Sequence, residues 1–124
     1  MDQHPLEGAR ILIVEDEYLL AAMLEDDLRA AGCTIVGPFS GLAQAMEASR
    51  REAFDVALLD INLNGQMVYP LADELSSRGV PAVFLTGYGA LNLPERFRLH
   101  PRVSKPYDVS ELVKTIRKNV PAPR

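Results

Sequence analysis

The chain has 124 residues, 48% of them hydrophobic, which suits one compact domain around a single core and leaves no room for a second domain. Its formal net charge of -4 comes from acids spread along the sequence, without the Lys/Arg cluster that binds phosphate backbones, which argues against nucleic acid as a direct partner. Cys33 is the one cysteine, so intrachain disulfides and multi-cysteine metal sites are excluded. The apolar runs are too short to cross a bilayer, and we predict a cytoplasmic protein.

The first part of the chain alternates strand and helix patterns. Residues 11–14 form a short continuous apolar run, which is typical of a strand buried on both faces of a parallel sheet. Residues 18–31 follow with apolar side chains at helical spacing, and Gly32 stands where a left-handed C-terminal cap is expected. A weaker strand over 34–36 and a helix over 41–51 complete a second unit.

Two further apolar runs, residues 56–59 and 82–85, also predict buried strands. A third helix lies between them and is closed by Gly79. Its buried stripe falls at i, i+3, i+4 and i+7, as Val68, Leu71, Ala72 and Leu75.

The last third is less regular. Residues 87–100 contain two glycines and a proline where a fourth helix is expected, so that helix is predicted to be short, displaced or mobile. Residues 102–105 form a short fifth strand in this interpretation. Asp108 and Glu111 make an Asp-x-x-Glu capping box for a final helix over Val109–Asn119.

Five strand-helix units in this length predict an α/β fold with a doubly wound five-stranded parallel sheet, in one domain over 1–124 with its core at about 9–120. Sheets of this kind bind ligands outside the carboxyl ends of their strands. Polar side chains stand at four of those ends and are expected to converge on one rim: Glu15 and Asp16, Asp60, Thr86, and Lys105.

Carboxylates that converge on one rim need compensation. Two of them at about 4 Å repel by roughly 4 kcal/mol at an effective dielectric of about 20, so the fold requires a cation or raised pKa values. Oxygen ligands without a neighbouring imidazole favour Mg2+ or Mn2+ over zinc. The acids after the first strand are therefore interpreted as a metal cradle, and Lys105 can balance the remaining charge by pairing with a carboxylate or a phosphoryl oxygen.

At these residues the sequence resembles the receiver domain of two-component response regulators, over essentially the whole chain. The resemblance implies a CheY-like sheet with strand order 2-1-3-4-5. It is carried by four motifs in the right order, one per strand: VEDE with Glu15 and Asp16, LLDINLNG with Asp60, FLTGYG with Thr86, and VSKPY with Lys105 and Pro106.

The resemblance implies that Asp60 accepts a phosphoryl group from the phosphohistidine of a histidine kinase or from a small acyl phosphate, and that hydrolysis resets the domain. Self-phosphorylation and autodephosphorylation would be its only chemistry, so it is not expected to be an enzyme in the usual sense. Thr86 would hydrogen-bond the phosphoryl group and Lys105 would form an ion pair with it. The peptide bond before Pro106 would be cis.

A metal site with Mg2+ is also implied, and Mn2+ could substitute for it. Asp16 and Asp60 would bind the ion directly, Glu15 would assist through water, and the backbone carbonyl of Asn62 would supply a further ligand.

The sequence departs from the family at one residue of the switch. Receivers usually carry an aromatic residue three positions before the lysine, and Arg102 stands there. The switch candidates are therefore Thr86, Tyr88 and Arg102. FLTGYG and the glycine-broken stretch after it resemble the FATGUY subgroup of receivers, associated with HWE-type or related histidine kinases and alphaproteobacterial stress signalling. In that case residues 88–99 are expected to be loosely ordered without the phosphoryl group and to tighten with it.

A downstream protein is the expected partner, and it would dock on helix four, strand five and helix five. The receiver is expected to be a monomer or weak dimer, whether the chain stands alone or is an excised domain.

Three alternative functions remain. A degenerate receiver that serves only as a protein-binding module has Arg102 in its favour. A hydrolase with Asp60 as nucleophile would lack the usual Asp-x-Asp, since Asn62 occupies that position. A flavodoxin-like protein would place its flavin phosphate against the acids at 15–17, which would repel it.

Overall fold

The computed structural model of the protein describes residues 4–87 and 93–121. Within these residues the elements follow in the order β1 Arg10–Val14, α1 Tyr18–Ala30, β2 Thr34–Phe39, α2 Leu42–Arg51, β3 Val56–Asp60, β4 Asn62–Leu63, β5 Gln66–Met67, α3 Tyr69–Ser77, β6 Ala82–Thr86, a 3-10 helix Glu95–Phe97, β7 Arg102–Ser104 and α4 Val109–Asn119.

Five of the strands form one parallel sheet in the order β2-β1-β3-β6-β7. Because β4 and β5 pair only with each other, in a separate antiparallel hairpin, this is the predicted order 2-1-3-4-5. The central strands β3 and β6 are buried at every residue, as their continuous apolar runs predict. The predicted fold class is therefore confirmed.

The sheet separates two hydrophobic cores. Successive side chains of a strand point to opposite faces, so β1 contributes Ile11 and Ile13 to one core and Leu12 and Val14 to the other. The first core is closed by α1 and α4, through Leu24, Leu28, Leu112 and Ile116. The second is closed by α2 and α3, through Leu42, Ala45, Leu71, Ala72 and Leu75.

The sequence interpretation was wrong at two places. The strand predicted over 34–36 continues to Phe39, because an edge strand can carry Gly37 and Pro38. Gly37 has φ 103°, and a Cβ there would lie 2.9 Å from the Ile13 carbonyl oxygen. The hairpin of β4 and β5 was not predicted, since two-residue strands are too short to show a periodicity. Its turn has positive φ at Asn64 (55°) and Gly65 (90°), as Asn-Gly hairpin turns do.

The predicted fourth helix is represented by the 3-10 helix Glu95–Phe97. Phe97 is 1% exposed and packs in the second core, so the described part of this segment is held against the sheet. Residues 88–92, and with them Tyr88, lie outside the described residues.

The final helix has the predicted bounds, and the Asp108 side chain accepts a hydrogen bond from the Glu111 N–H at 3.2 Å. No helix in the described part of the chain is both long and apolar enough to span a membrane.

Candidate functional site

The predicted site residues meet at the carboxyl ends of the sheet strands. Glu15 and Asp16 follow β1, Asp60 ends β3, Thr86 ends β6 and Lys105 follows β7. These four strands are neighbours in the sheet, so their ends lie on one rim. Glu15, Asp60 and Thr86 are buried.

The three acids form a compact cluster. One carboxylate oxygen from each of Glu15, Asp16 and Asp60 lies within 4.8 Å of the others. Backbone amides hold two of these carboxylates. The Glu17 N–H donates to Glu15 Oε2 at 3.0 Å, and the Asn64 N–H donates to Asp16 Oδ2 at 3.0 Å. The unpredicted hairpin therefore contacts the cluster.

Lys105 bridges two of the acids. Its Nζ lies 2.9 Å from Glu15 Oε1 and 3.2 Å from Asp60 Oδ1. Among the described residues Glu15 Oε1 has no partner other than the Lys105 ammonium, so this ion pair is what compensates its burial. Burial disfavours the charged ammonium, but the hydrogen bonds and charges of Glu15 and Asp60 outweigh that effect and raise the Lys105 pKa.

The Asp60 carboxyl group has a raised pKa of about 7. Burial is the largest cause, followed by the hydrogen bond with Asp16 and the negative charge of Glu15, while Lys105 opposes these effects. Near neutral pH, Asp60 is therefore divided between its protonated and ionised forms. A cation bound beside it favours the ionised form.

The cluster fits a hard divalent cation. Its donors are carboxylate oxygens, which Mg2+ prefers, and neither imidazole nor thiolate belongs to it. Asn62, whose backbone carbonyl is the further ligand that the resemblance implies, lies in β4. Its side chain is engaged in the hairpin, where Oδ1 accepts the Gly65 N–H at 2.6 Å.

The switch candidates are placed differently from one another. The Thr86 carbonyl accepts the Lys105 N–H at 2.7 Å, which joins β6 to the turn that carries the lysine. The peptide bond between Lys105 and Pro106 is cis. Arg102 is exposed, and its guanidinium donates to the Arg98 carbonyl. Sequence reasoning missed the contribution of Asn64, although the Asn-Gly dipeptide is a signal for the hairpin turn that brings its amide to Asp16.

The model of the response regulator receiver domain family matches residues 11–117. The chain belongs to this family. The receiver is similar to the transcriptional regulatory protein PdtaR of Mycobacterium tuberculosis, with 31% identity over 111 residues, which are 86% of this chain and 54% of PdtaR. It therefore spans about half the length of the curated relatives it matches.

Two solved receivers resemble this one closely in structure. SdrG from Sphingomonas melonis Fr1 is 38% identical, with a TM-score of 0.79 over 87% of this chain and 92% of SdrG. SdrG has also been solved in its BeF3-activated conformation, at 36% identity and a TM-score of 0.75 over 94% of this chain and 99% of that one. The receiver domain of PhyR from Erythrobacter litoralis is 30% identical, with a TM-score of 0.80 over 95% of this chain and 96% of that domain.

Membership of the family confirms the predicted resemblance and places the protein in two-component signalling. Receiver domains are in general signalling domains rather than enzymes, which speaks against the hydrolase and the flavodoxin-like alternatives.

Proposed function

We propose that this receiver takes a phosphoryl group on Asp60 from the phosphohistidine of a histidine kinase and thereby changes its affinity for a partner protein. The observation that carries the proposal is the position of the Lys105 ammonium, 3.2 Å from Asp60 Oδ1 and 2.9 Å from Glu15 Oε1, beside the three-acid cluster. The Lys105 ammonium and a metal ion in the acidic cluster would both place positive charge beside the buried Asp60 carboxyl group, which suits the transfer of a highly charged phosphoryl group.

In the proposed transfer a carboxylate oxygen of Asp60 attacks phosphorus while the bond from phosphorus to the histidine nitrogen breaks. The imidazole leaves, and an acyl phosphate forms on Asp60. Lys105 would neutralise charge on the transferred group, and the hydroxyl of Thr86, at the end of the neighbouring strand, would hydrogen-bond it. Hydrolysis of the acyl phosphate would return the domain to its first state.

Mg2+ is part of the proposal. Asp16 and Asp60 would hold it directly, with Glu15 through water and the Asn62 carbonyl as further ligands; Mn2+ has the same preference for oxygen. Bound there, the ion supplies positive charge that offsets the charge of the phosphoryl oxygens.

The partners are proposed on the resemblance. PhyR is a stress response regulator. The FATGUY-like motif around Thr86 suggests a subgroup that is associated with stress signalling and with HWE-type or related kinases. The downstream partner would bind the surface formed by the 3-10 helix, β7 and α4. A cytoplasmic location, a monomeric or weakly dimeric state and a single domain over residues 1–124 belong to the same proposal.

Intact-mass spectrometry after incubation with Mg2+ and acetyl phosphate tests the function. We expect one phosphoryl group on the unmutated protein and none on Asp60→Asn or in the presence of a chelator. If neither an adduct nor metal binding is found, the protein is a degenerate receiver that acts only as a binding module. Arg102, which stands where the family usually has an aromatic residue, would then be the feature of the sequence that indicated it. Metal binding without an adduct would require the cognate kinase as donor in a second assay.

A further inference from the structure

A tyrosine next to the site makes a contact that the proposed chemistry does not use. The Tyr107 hydroxyl donates a hydrogen bond to Asp27 Oδ2 at 2.6 Å, between residues 80 positions apart in the chain. Tyr107 lies two residues after Lys105, in the turn between β7 and α4, and Asp27 lies on α1. The bond therefore ties the turn that carries the lysine to the helix that begins just after the acids.

Both partners of this bond belong to parts of the chain that pack against the first core. Asp27 stands between Leu24 and Leu28 on α1, which are fully buried in the first core. The Tyr107 ring is packed against the same core. Burial, and then the bond to Asp27, raise the pKa of the Tyr107 hydroxyl, so it remains a donor across the working pH range.

The turn has an anchor on each side of the lysine side chain. Before it, the Lys105 N–H donates to the Thr86 carbonyl at 2.7 Å. After it, Tyr107 is bound to Asp27. A lysine has a flexible four-carbon stem, so its ammonium stays between Glu15 and Asp60 only if its backbone is held.

We propose that Tyr107 is a positioning residue: its hydrogen bond to Asp27 holds the Lys105 turn against α1 and keeps the ammonium between Glu15 and Asp60. The consequence for phosphoryl transfer rests on the proposed function of Asp60. The position of the ammonium does not, and it can be measured separately.

Amine labelling measures that position directly. We expect Tyr107→Phe, which keeps the ring and loses the hydroxyl, to raise the rate of Lys105 acylation by N-hydroxysuccinimidyl acetate about threefold to tenfold, as the loss of one hydrogen bond implies. The exposed Lys114 and Lys118 serve as internal references in the same peptide digest. An unchanged ratio of Lys105 to these two would overturn the proposal.

Four further variants separate positioning from a loss of stability. Tyr69→Phe removes the hydroxyl of another half-buried tyrosine, whose ring stacks on Phe97, and should leave Lys105 labelling unchanged. Asp27→Ala should behave like Tyr107→Phe, whereas Asp27→Asn keeps an acceptor oxygen and should behave like the unmutated protein. The double variant of Tyr107→Phe and Asp27→Ala should label no faster than either single variant. Additive effects would contradict a shared mechanism.

The rate of phosphorylation by acetyl phosphate is the second readout, with a similar severalfold decrease expected in Tyr107→Phe and no change in Tyr69→Phe. If the unmutated protein takes no phosphoryl group, the proposed function fails, while the labelling ratio still decides the positioning role. Faster acylation of Lys105 with an unchanged rate of phosphorylation would overturn the proposed effect of Tyr107 on phosphoryl transfer.

Discussion

Asp60 shows how a single carboxyl group responds to several neighbours at once. Burial, the hydrogen bond with Asp16 and the charge of Glu15 raise its pKa to about 7, and Lys105 keeps it from rising further. The sequence predicted that these carboxylates would need a cation or raised pKa values. The structure shows both, because it places the lysine between Glu15 and Asp60 and leaves the Asp60 pKa elevated.

The raised pKa predicts a pH dependence of stability without metal. An unfolded chain loses the Asp60 proton near its ordinary value of 3.8, whereas the folded protein holds it to about 7. Between these values the unfolded state binds fewer protons, so the Asp60 contribution to the free energy of unfolding falls as the pH rises and levels off once the pH is above the folded pKa. We expect the free energy of unfolding of Asp60→Asn to depend less on pH between these values. Near pH 8 this variant should be more stable than the unmutated protein by about 1–3 kcal/mol.

Urea denaturation in chelator, near pH 5 and near pH 8, measures the effect. Asp26→Asn, which changes an exposed carboxyl group on α1, is the matched control and should follow the unmutated profile. An Asp60→Asn midpoint that is unchanged or lower near pH 8 would contradict the assignment of Asp60 as the destabilising group.

At the scale of elements, the 3-10 helix Glu95–Phe97 stands where this fold would have its fourth helix. Poor helix composition predicted a short or displaced element there. What holds it is the Phe97 ring, whose centroid lies 5.4 Å from that of Tyr69 and 5.5 Å from that of Phe84. Arg96 adds a two-point contact to Asp73 on α3, at 2.8 and 3.0 Å. The element is thus fixed to α3 and the sheet by side chains rather than by helical length.

Phe97→Ala should accordingly be costly. Phe97 is 1% exposed, and truncating a buried phenylalanine lowers the free energy of unfolding by about 3–5 kcal/mol. Leu99→Ala is the matched control in the same segment, since Leu99 is 99% exposed and its loss should change stability by less than about 0.5 kcal/mol. Denaturant midpoints of the two variants provide the comparison. Equal effects would show that Phe97 is not the anchor.

At the scale of the whole molecule, the site exists only because the sheet order brings separate strand-helix units together. The acids come from the units of β1 and β3 and the lysine from the turn after β7. Backbone amides hold the Glu15 and Asp16 carboxylates, and the Thr86 carbonyl holds the Lys105 N–H. Proton binding and folding are therefore linked through one cluster, and binding of the proposed Mg2+ would be linked to both.

This linkage predicts how Mg2+ stabilises the protein. At tenfold its dissociation constant the ion should raise the free energy of unfolding by about 1.4 kcal/mol near pH 8, measured as a shift in the urea midpoint. The shift should shrink near pH 5.5, because a proton on Asp60 competes with the cation. Asp16→Asn should largely remove it, and a shift of equal size in that variant would show that Mg2+ acts elsewhere.

Local patterns in the sequence predicted the strands that form continuous apolar runs, the capped final helix and the polar residues at the strand ends. Such features depend on neighbours within a few residues, and the order of the motifs was enough to indicate the family. The roles of Asp60, Thr86 and Lys105 remain predictions that the experiments above test.

Only the tertiary structure decided the Asn64 contact with Asp16, the pairing of Lys105 with Glu15, the pKa of Asp60 and the bond from Tyr107 to Asp27. Each of these depends on residues dozens of positions apart that meet when strands take their order in the sheet. Burial of a carboxyl group likewise depends on the tertiary structure, because its desolvation is determined by all the residues packed around it and not by one stretch of sequence.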